Sequence, residues 1–223
     1  MHRRHALPVA VSLTAAAALL LTGCGSGGKK SNEDKIAGVG SGASHSVSPT
    51  PSAAAPTVKG PDMPFPADVK IDFPAAGVTD PKQAAAARDA ANFVRSFHYG
   101  IIKQDPENAA YKFYSEYLSP AFKYAKGQIK ADVDDGYTIT GEVRFSRTKV
   151  TMADSKATAV VSFCSDASKF YSKEVKTGKV HVTTPSIEDY TSWQILMAPS
   201  PNDQGLWKAR QTQIRDGAEE CRS

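Results

Sequence analysis

The stretch Ala157-Thr158-Ala159-Val160-Val161-Ser162-Phe163-Cys164 puts β-branched and aromatic side chains on both faces of an extended chain. A strand covered on two sides needs that pattern, so this one is read as the centre of a sheet. Upstream, Val143, Phe145, Val150 and Met152 alternate loosely with polar residues, and Ala153-Asp154-Ser155 is read as the turn into the central strand. Downstream, residues 173–182 read as a hairpin around Thr177-Gly178. Residues 190–197 and 206–214 form a last pair, joined by a Pro/Asn/Asp/Gly-rich stretch at 198–205.

Before Gly136 the period changes. Three capping residues each stand directly before a proline, whose fixed φ suits the first helical position: Asp80-Pro81, Asp105-Pro106 and Ser119-Pro120. The first helix is expected to run to about Lys103, with Val94, Phe97 and Ile101 as its apolar stripe and Phe93 beside it. The second carries Ala110, Phe113, Tyr114, Tyr117 and Leu118. The third carries Phe122, Ala125, Ile129 and Val133 and ends before Gly136. Helices followed by antiparallel strands make an α+β domain, with N-terminal helices packed on a curved, cone-like sheet over residues 76–223. About 148 residues suffice for one core and not for two.

Outward to the N-terminus, the chemistry is different. His2, Arg3, Arg4 and His5 give a short basic start, and an apolar run follows that is too short to span a bilayer. It ends in Leu21-Thr22-Gly23-Cys24, the pattern of a lipoprotein signal peptide: Leu, a small residue, Gly, then the cysteine that takes the lipid. Residues 1–23 are therefore expected to be removed, Cys24 acylated, and the protein held on the outer face of the cytoplasmic membrane. Arg3-Arg4 lacks the neighbours of a twin-arginine signal, so the general secretory route is expected. Two or three acyl chains anchor durably, because each buried methylene contributes about 0.8 kcal/mol. From Cys24 to residue 75 the chain is rich in Gly, Ser, Pro and Ala and reads as a flexible tether. Met63-Pro64-Phe65-Pro66 and Phe73-Pro74 read as extended pieces able to lean on the domain.

Removing Arg3 and Arg4 with the signal lowers the formal net charge from +4 to +2, and no Lys/Arg run exceeds a pair. That argues against a nucleic-acid partner, which needs a concentrated basic face. With Cys24 consumed by lipid, Cys164 and Cys221 remain as an even pair in an oxidising compartment and are read as one disulfide.

The helical first third and the curved sheet, with Gly205-Leu206-Trp207-Lys208 opening a late strand, resemble the cone fold of nuclear transport factor two and SnoaL-like proteins. Further short motifs resemble small lipoproteins of high-GC Gram-positive bacteria: Cys164-Ser165-Asp166, Lys176-Thr177-Gly178-Lys179, the 190–197 strand and residues 217–221. The resemblance spans roughly residues 80–223. It implies a fold that hosts enzymes, binders and interaction modules alike, and leaves the activity open.

Candidate chemistry is sparse. His98 is the one histidine on an expected helix near an apolar stripe, with Tyr114 or Asp166 as a possible acid–base partner. The competing reading is a helix-edge histidine with no chemical role. His181 is expected at the surface. Asp132-Val133-Asp134-Asp135-Gly136 fails the register of a calcium loop and reads as an acidic helix end. No nucleophile elbow, phosphate loop or metal-spaced His/Cys cluster is present, so no catalytic residue, metal or cofactor is assigned. Phe145, Phe163, Phe170, Tyr171, Tyr190, Trp193 and Trp207 form either the core or the lining of a ligand cone. Two functions follow. One is a noncatalytic envelope module binding a protein partner or an apolar small molecule. The other is a small isomerase or dehydratase working in the cone.

Overall fold

Asp80 accepts hydrogen bonds from the backbone N–H groups of Lys82 and Gln83, each 2.9 Å, and Pro81 takes the first helical position of α1 (Pro81–Ile102). This is the computed structural model of the chain, and it describes residues 58–153 and 157–222. The signal peptide, Cys24, the tether up to residue 57 and Asp154-Ser155 of the expected turn lie outside the described residues.

The Asp105-Pro106 expectation is corrected. Asp105 makes only a turn, accepting from the N–H of Glu107, and α2 (Ala109–Tyr114) starts later, capped by Asn108. It also stops early, because Ser115 becomes extended and bridges to Ala209 in the last strand. Tyr117 and Leu118 therefore lie in a loop and not on a helix, 76% and 55% exposed. The third helix, α3 (Pro120–Asp135), is capped by Ser119 and ends in Gly136 at φ 75°, a left-handed position that favours glycine.

The strands are β1 (Val69–Asp72), β2 (Tyr137–Met152), β3 (Ala159–Glu174), β4 (Val180–His181), β5 (Tyr190–Pro199) and β6 (Trp207–Arg215). They lie in the order β1-β2-β3-β5-β6, with β4 on the far end of β3, as one curved sheet that does not close. All pairs are antiparallel except β1 with β2, which run parallel at the edge. The expected central strand is indeed central, and continues past Cys164 to Glu174. Its second half is mostly polar and half-buried, held by backbone pairing to the first half of β2, with Ala167 and Phe170 packed against the core.

The curvature comes from β2. Its register to β3 slips between Glu142 and Arg144 and again between Ser146 and Lys149, where Arg147 has φ 55°. Such bulges bend a strand and raise its twist. At Gly141, φ is 93° and a Cβ would collide with the Lys169 carbonyl oxygen, so the close approach of β2 to β3 there requires glycine.

The hollow of the bent sheet is filled. Phe93, Val94, Phe97 and Ile101 of α1 are buried with Phe145, Val161, Phe163, Trp193, Ile195 and Met197 of the sheet. The rings pack face to face and edge to face: Phe163 on Trp193 at 5.9 Å, Phe97 on Trp193 at 6.4 Å, Phe145 against Phe163 at 5.4 Å. Such pairs add about 0.5–1.5 kcal/mol each beyond the area they bury. The buried indole N–H of Trp193 donates to Ser165 Oγ at 3.0 Å, so the polar tip of that ring is satisfied.

The expected tether to residue 75 is also corrected. Val58, Met63, Phe65, Ile71 and Phe73 pack on the core, and Phe73 stacks on Phe145 with ring centroids 3.8 Å apart. Asp68 fastens the segment: its carbonyl accepts from Gly141 N–H at 2.7 Å, and its carboxylate accepts from Lys173 at 2.9 Å and from Thr140 at 3.0 Å. The Lys173 contact holds the Asp68 carboxyl below its usual pKa. The folded part includes residues 58–75. Composition hid this, because a four-residue edge strand that borrows its ladder from β2 needs no long apolar run.

At the other terminus, Cys164 and Cys221 stand at disulfide distance, with Cα atoms 5.3 Å apart. Phe163 faces the helices, so its neighbour Cys164 points to the opposite face of the sheet. There Ala218 and Cys221 are buried beside Tyr190. The Ala218 N–H donates to the Tyr190 carbonyl at 2.9 Å, and Thr191 Oγ1 to Asp216 at 2.9 Å.

Candidate functional site

His98, the strongest acid–base candidate in the sequence, sits on α1 but is sealed. It is 6% exposed, stacks on Phe97 with centroids 4.3 Å apart, and shares a 2.8 Å hydrogen bond between Nδ1 and the Val94 carbonyl. The structure brings neither expected partner to it. Tyr114 hydrogen-bonds with Asn92, and Asp166 pairs with Arg144 at 3.0 Å and with Ser168.

Burial pushes the His98 pKa from 6.5 down to about 4, which turns this residue into a stability device. The folded state holds the neutral ring, whereas the unfolded chain takes the proton near 6.5. Stability is therefore full above pH 6.5 and is lost as the pH falls from there to about 4, by on the order of 3 kcal/mol. Chemical denaturation between pH 7 and 4.5 is expected to show this slope, and His98→Gln to flatten it. An undiminished slope in the variant would contradict the assignment.

The other candidates settle as structure. Asp132 to Gly136 is the last turn of α3, where Asp134 pairs with Lys130 at 2.7 Å. His181, partly exposed on β4, meets Glu174 at 2.8 Å. Of the aromatic set, Phe145, Phe163, Trp193 and Trp207 are core, while Phe170, Tyr171 and Tyr190 are half-buried around it.

Space for a ligand lies beside the filled hollow. A cavity of about 420 Å³ opens between the first half of α1, residues 73–78 and the bend of β2 at Thr148. That volume is within the range of small-molecule sites, roughly 300–1,000 Å³. Its walls are Phe73, Pro74, Val78 and Phe163. Its helical side is a single stripe in which Ala84, Ala87 and Ala91 alternate with Arg88 and Arg95. Residues 84, 88, 91 and 95 share one face of a helix. The alanines lower that face enough to leave room, and the arginines stand up from it.

The two arginines differ in their surroundings. Arg88 donates from Nε and Nη2 to both oxygens of Asp89, at 2.8 and 3.0 Å, and from Nη2 to the Gly205 carbonyl at 2.9 Å. Asp89 is 2% exposed and also accepts from the N–H of Trp207 at 2.8 Å, so this pair ties α1 to the start of β6. The contact with Asp89 raises the Arg88 pKa. Arg95 lies over the Phe73 ring at 4.9 Å, and among the described residues no carboxylate comes within ion-pair distance of it. Burial pulls its guanidinium below its usual pKa, against the attraction of Asp72. Arg88, Asp89 and Arg95 escaped the sequence reading. The available signal was the cationic stripe interleaved with alanine along the flank of the helix's apolar stripe.

No family model matches this sequence, and no curated protein matches it significantly. Solved structures similar to it include a nuclear transport factor two-like superfamily protein from Salmonella enterica serovar Typhimurium, 14% identical. That match covers 61% of this chain and 94% of the other, with a TM-score of 0.39. Another is Aln2 from a Streptomyces species, 13% identical, covering 58% and 88%, TM-score 0.40. A third is the intermembrane space region of the chloroplast protein ARC6, 12% identical, covering 58% and 94%, TM-score 0.35. The likeness is one of architecture: helices packed on a curved, unclosed sheet.

Proposed function

We propose that this chain is an extracytoplasmic lipoprotein, held on the outer face of the cytoplasmic membrane by an acylated Cys24, whose folded part is a noncatalytic binding module. The carrying observation is the chemistry of the cavity. Its walls are apolar and its charged lining residues are Arg88 and Arg95. Arginine stays protonated throughout the physiological range and does not exchange protons as a general acid or base must. His98, the one buried histidine among the described residues, is closed off behind Phe97 and Phe170. This geometry favours a small-molecule ligand over a turnover site. The anchor is read from the Leu21-Thr22-Gly23-Cys24 pattern; among the described residues no helix is long and apolar enough to cross a membrane.

The anchor is tested by Cys24→Ala, which is expected to move the protein from the membrane fraction to the soluble or uncleaved pool and to abolish labelling by a fatty-acid probe. Labelling that persists in the variant would refute it. Binding is tested by native mass spectrometry of protein extracted gently from its own membrane, where a bound molecule recovered chemically unchanged is the expected result. A molecule that the protein converts on incubation would instead make it an enzyme.

A further inference from the structure

Resting on the binding reading above, we infer that the cavity beside α1 takes an amphipathic monoanion, an apolar chain or ring system ending in a carboxylate or similar head, with Arg95 as the group that recognises the head. Three observations converge on this. The space is large enough for a small molecule and is walled by Phe73, Pro74, Val78 and Phe163, which offer no hydrogen bonds from their side chains. A guanidinium faces it that, among the described residues, no carboxylate meets at ion-pair distance, Asp72 attracting it only from farther off, in contrast to Arg88, which Asp89 holds in a two-pronged pair. Ala84 and Ala87 before Arg88, and Ala91 between the two arginines, keep the helix surface low, so a ligand can lie along α1 and reach Arg95.

A half-buried cation with no carboxylate in direct contact costs free energy that an anion placed against it offsets. Arg95 is also pre-ordered. Its guanidinium carbon lies over the Phe73 ring at 4.9 Å, a cation–π contact that restricts where the head of the side chain can go. Phe73 is itself fixed, stacked on Phe145 and edge-on to Phe163 at 5.4 Å. Head and chain are thereby read by adjoining surfaces: the head by Arg95, the apolar body by the walls. A neutral alkyl chain gains only the second contact, and an alkyl cation is repelled by the first.

The test uses the mature protein and three probes with straight chains of ten carbons, counting the carboxylate carbon of the first: decanoate, decanol and decyltrimethylammonium, each measured by calorimetry or by displacement of a fluorescent fatty acid. Decanoate is expected to bind at least roughly tenfold more tightly than decanol, and the ammonium more weakly than either, as one charge-assisted pair implies. Arg95→Gln should bring decanoate down to the level of decanol while leaving decanol unchanged, and Arg95→Lys should restore part of the preference. Ala84→Trp, at an exposed position on the cavity wall, should weaken all probes together without changing the fold. Equal binding of decanoate and decanol to the unaltered protein, with loss of both in Ala84→Trp, would overturn the anion assignment and keep the binding reading. Decanoate binding unaffected by both Arg95→Gln and Ala84→Trp would overturn the site. Failure of all three probes to bind would overturn both together.

Discussion

A chain beginning at Ala75 is expected to lose its cooperative thermal transition, whereas one beginning at residue 58 keeps that of the mature protein. The shorter chain lacks β1 and with it Val69, which is buried, and Val58, Met63, Phe65, Ile71 and Phe73, which are half-buried against the core. A fully buried side chain of this kind contributes about 1.5–3 kcal/mol, so these six together contribute on the order of 6–8 kcal/mol even when most are only half covered. Domains of this size are stable by about 5–15 kcal/mol in all. The truncation also strips Phe73 from Phe145 and Arg95, and frees the Thr140 and Lys173 side chains from Asp68. Circular-dichroism melts of the two chains decide the matter. Equal midpoints would show that residues 58–74 only rest on the surface.

The second large effect concerns the C-terminal end. The pairing of Cys164 with Cys221 joins residues 57 apart in sequence. Loop-closure entropy gives up to about 4 kcal/mol for such a loop, and less where the reduced chain keeps structure. For a domain of this length that corresponds to a fall in Tm on the order of 10 °C on reduction or in Cys221→Ser. The loss should be local at first. Among the described residues of the tail beyond β6 only Ala218 and Cys221 are buried, and the bonds to Tyr190 and Asp216 are few, so residues 216–222 should exchange amide hydrogens early while β3 stays protected. Mass spectrometry of the nonreduced protein tests the bond itself, and two alkylatable thiols would refute it.

The sequence is legible where a local rule coincides with the tertiary need. Asp80-Pro81 and Ser119-Pro120 open helices because cap and proline act within one turn, and Gly136 ends one for the same reason. Residues 157–164 declare a central strand because both of their faces are covered. Asp105-Pro106 misleads because the same two residues equally favour a turn, and the extended Ser115, bridged to Ala209 from more than ninety positions away, shortens the helix from its other end. β1 and the second half of β3 pair with β2 along short or mostly polar stretches, and their few apolar anchors, Val69, Ile71 and Phe170, are too sparse to mark a strand. The site was hidden for a related reason. Arg88 pairs with Asp89, its immediate neighbour, a spacing that does not ordinarily bring helical side chains together, and the difference between a neutralised Arg88 and an open Arg95 exists only once Gly205 and Phe73 are in place.

The parallel edge pair bears on how copies of this protein behave when crowded. An exposed sheet edge is a template for strand addition by a neighbour, and a sixteen-residue strand such as β2 would be a long one. β1 covers part of that edge with only four residues, and Lys70, paired with Glu142 at 3.1 Å, and the exposed Asp72 put charge along its rim. A short, charged border gives an incoming strand little to pair with. Detaching β1 would therefore do more than loosen one molecule: it would open a seam along which several could polymerise.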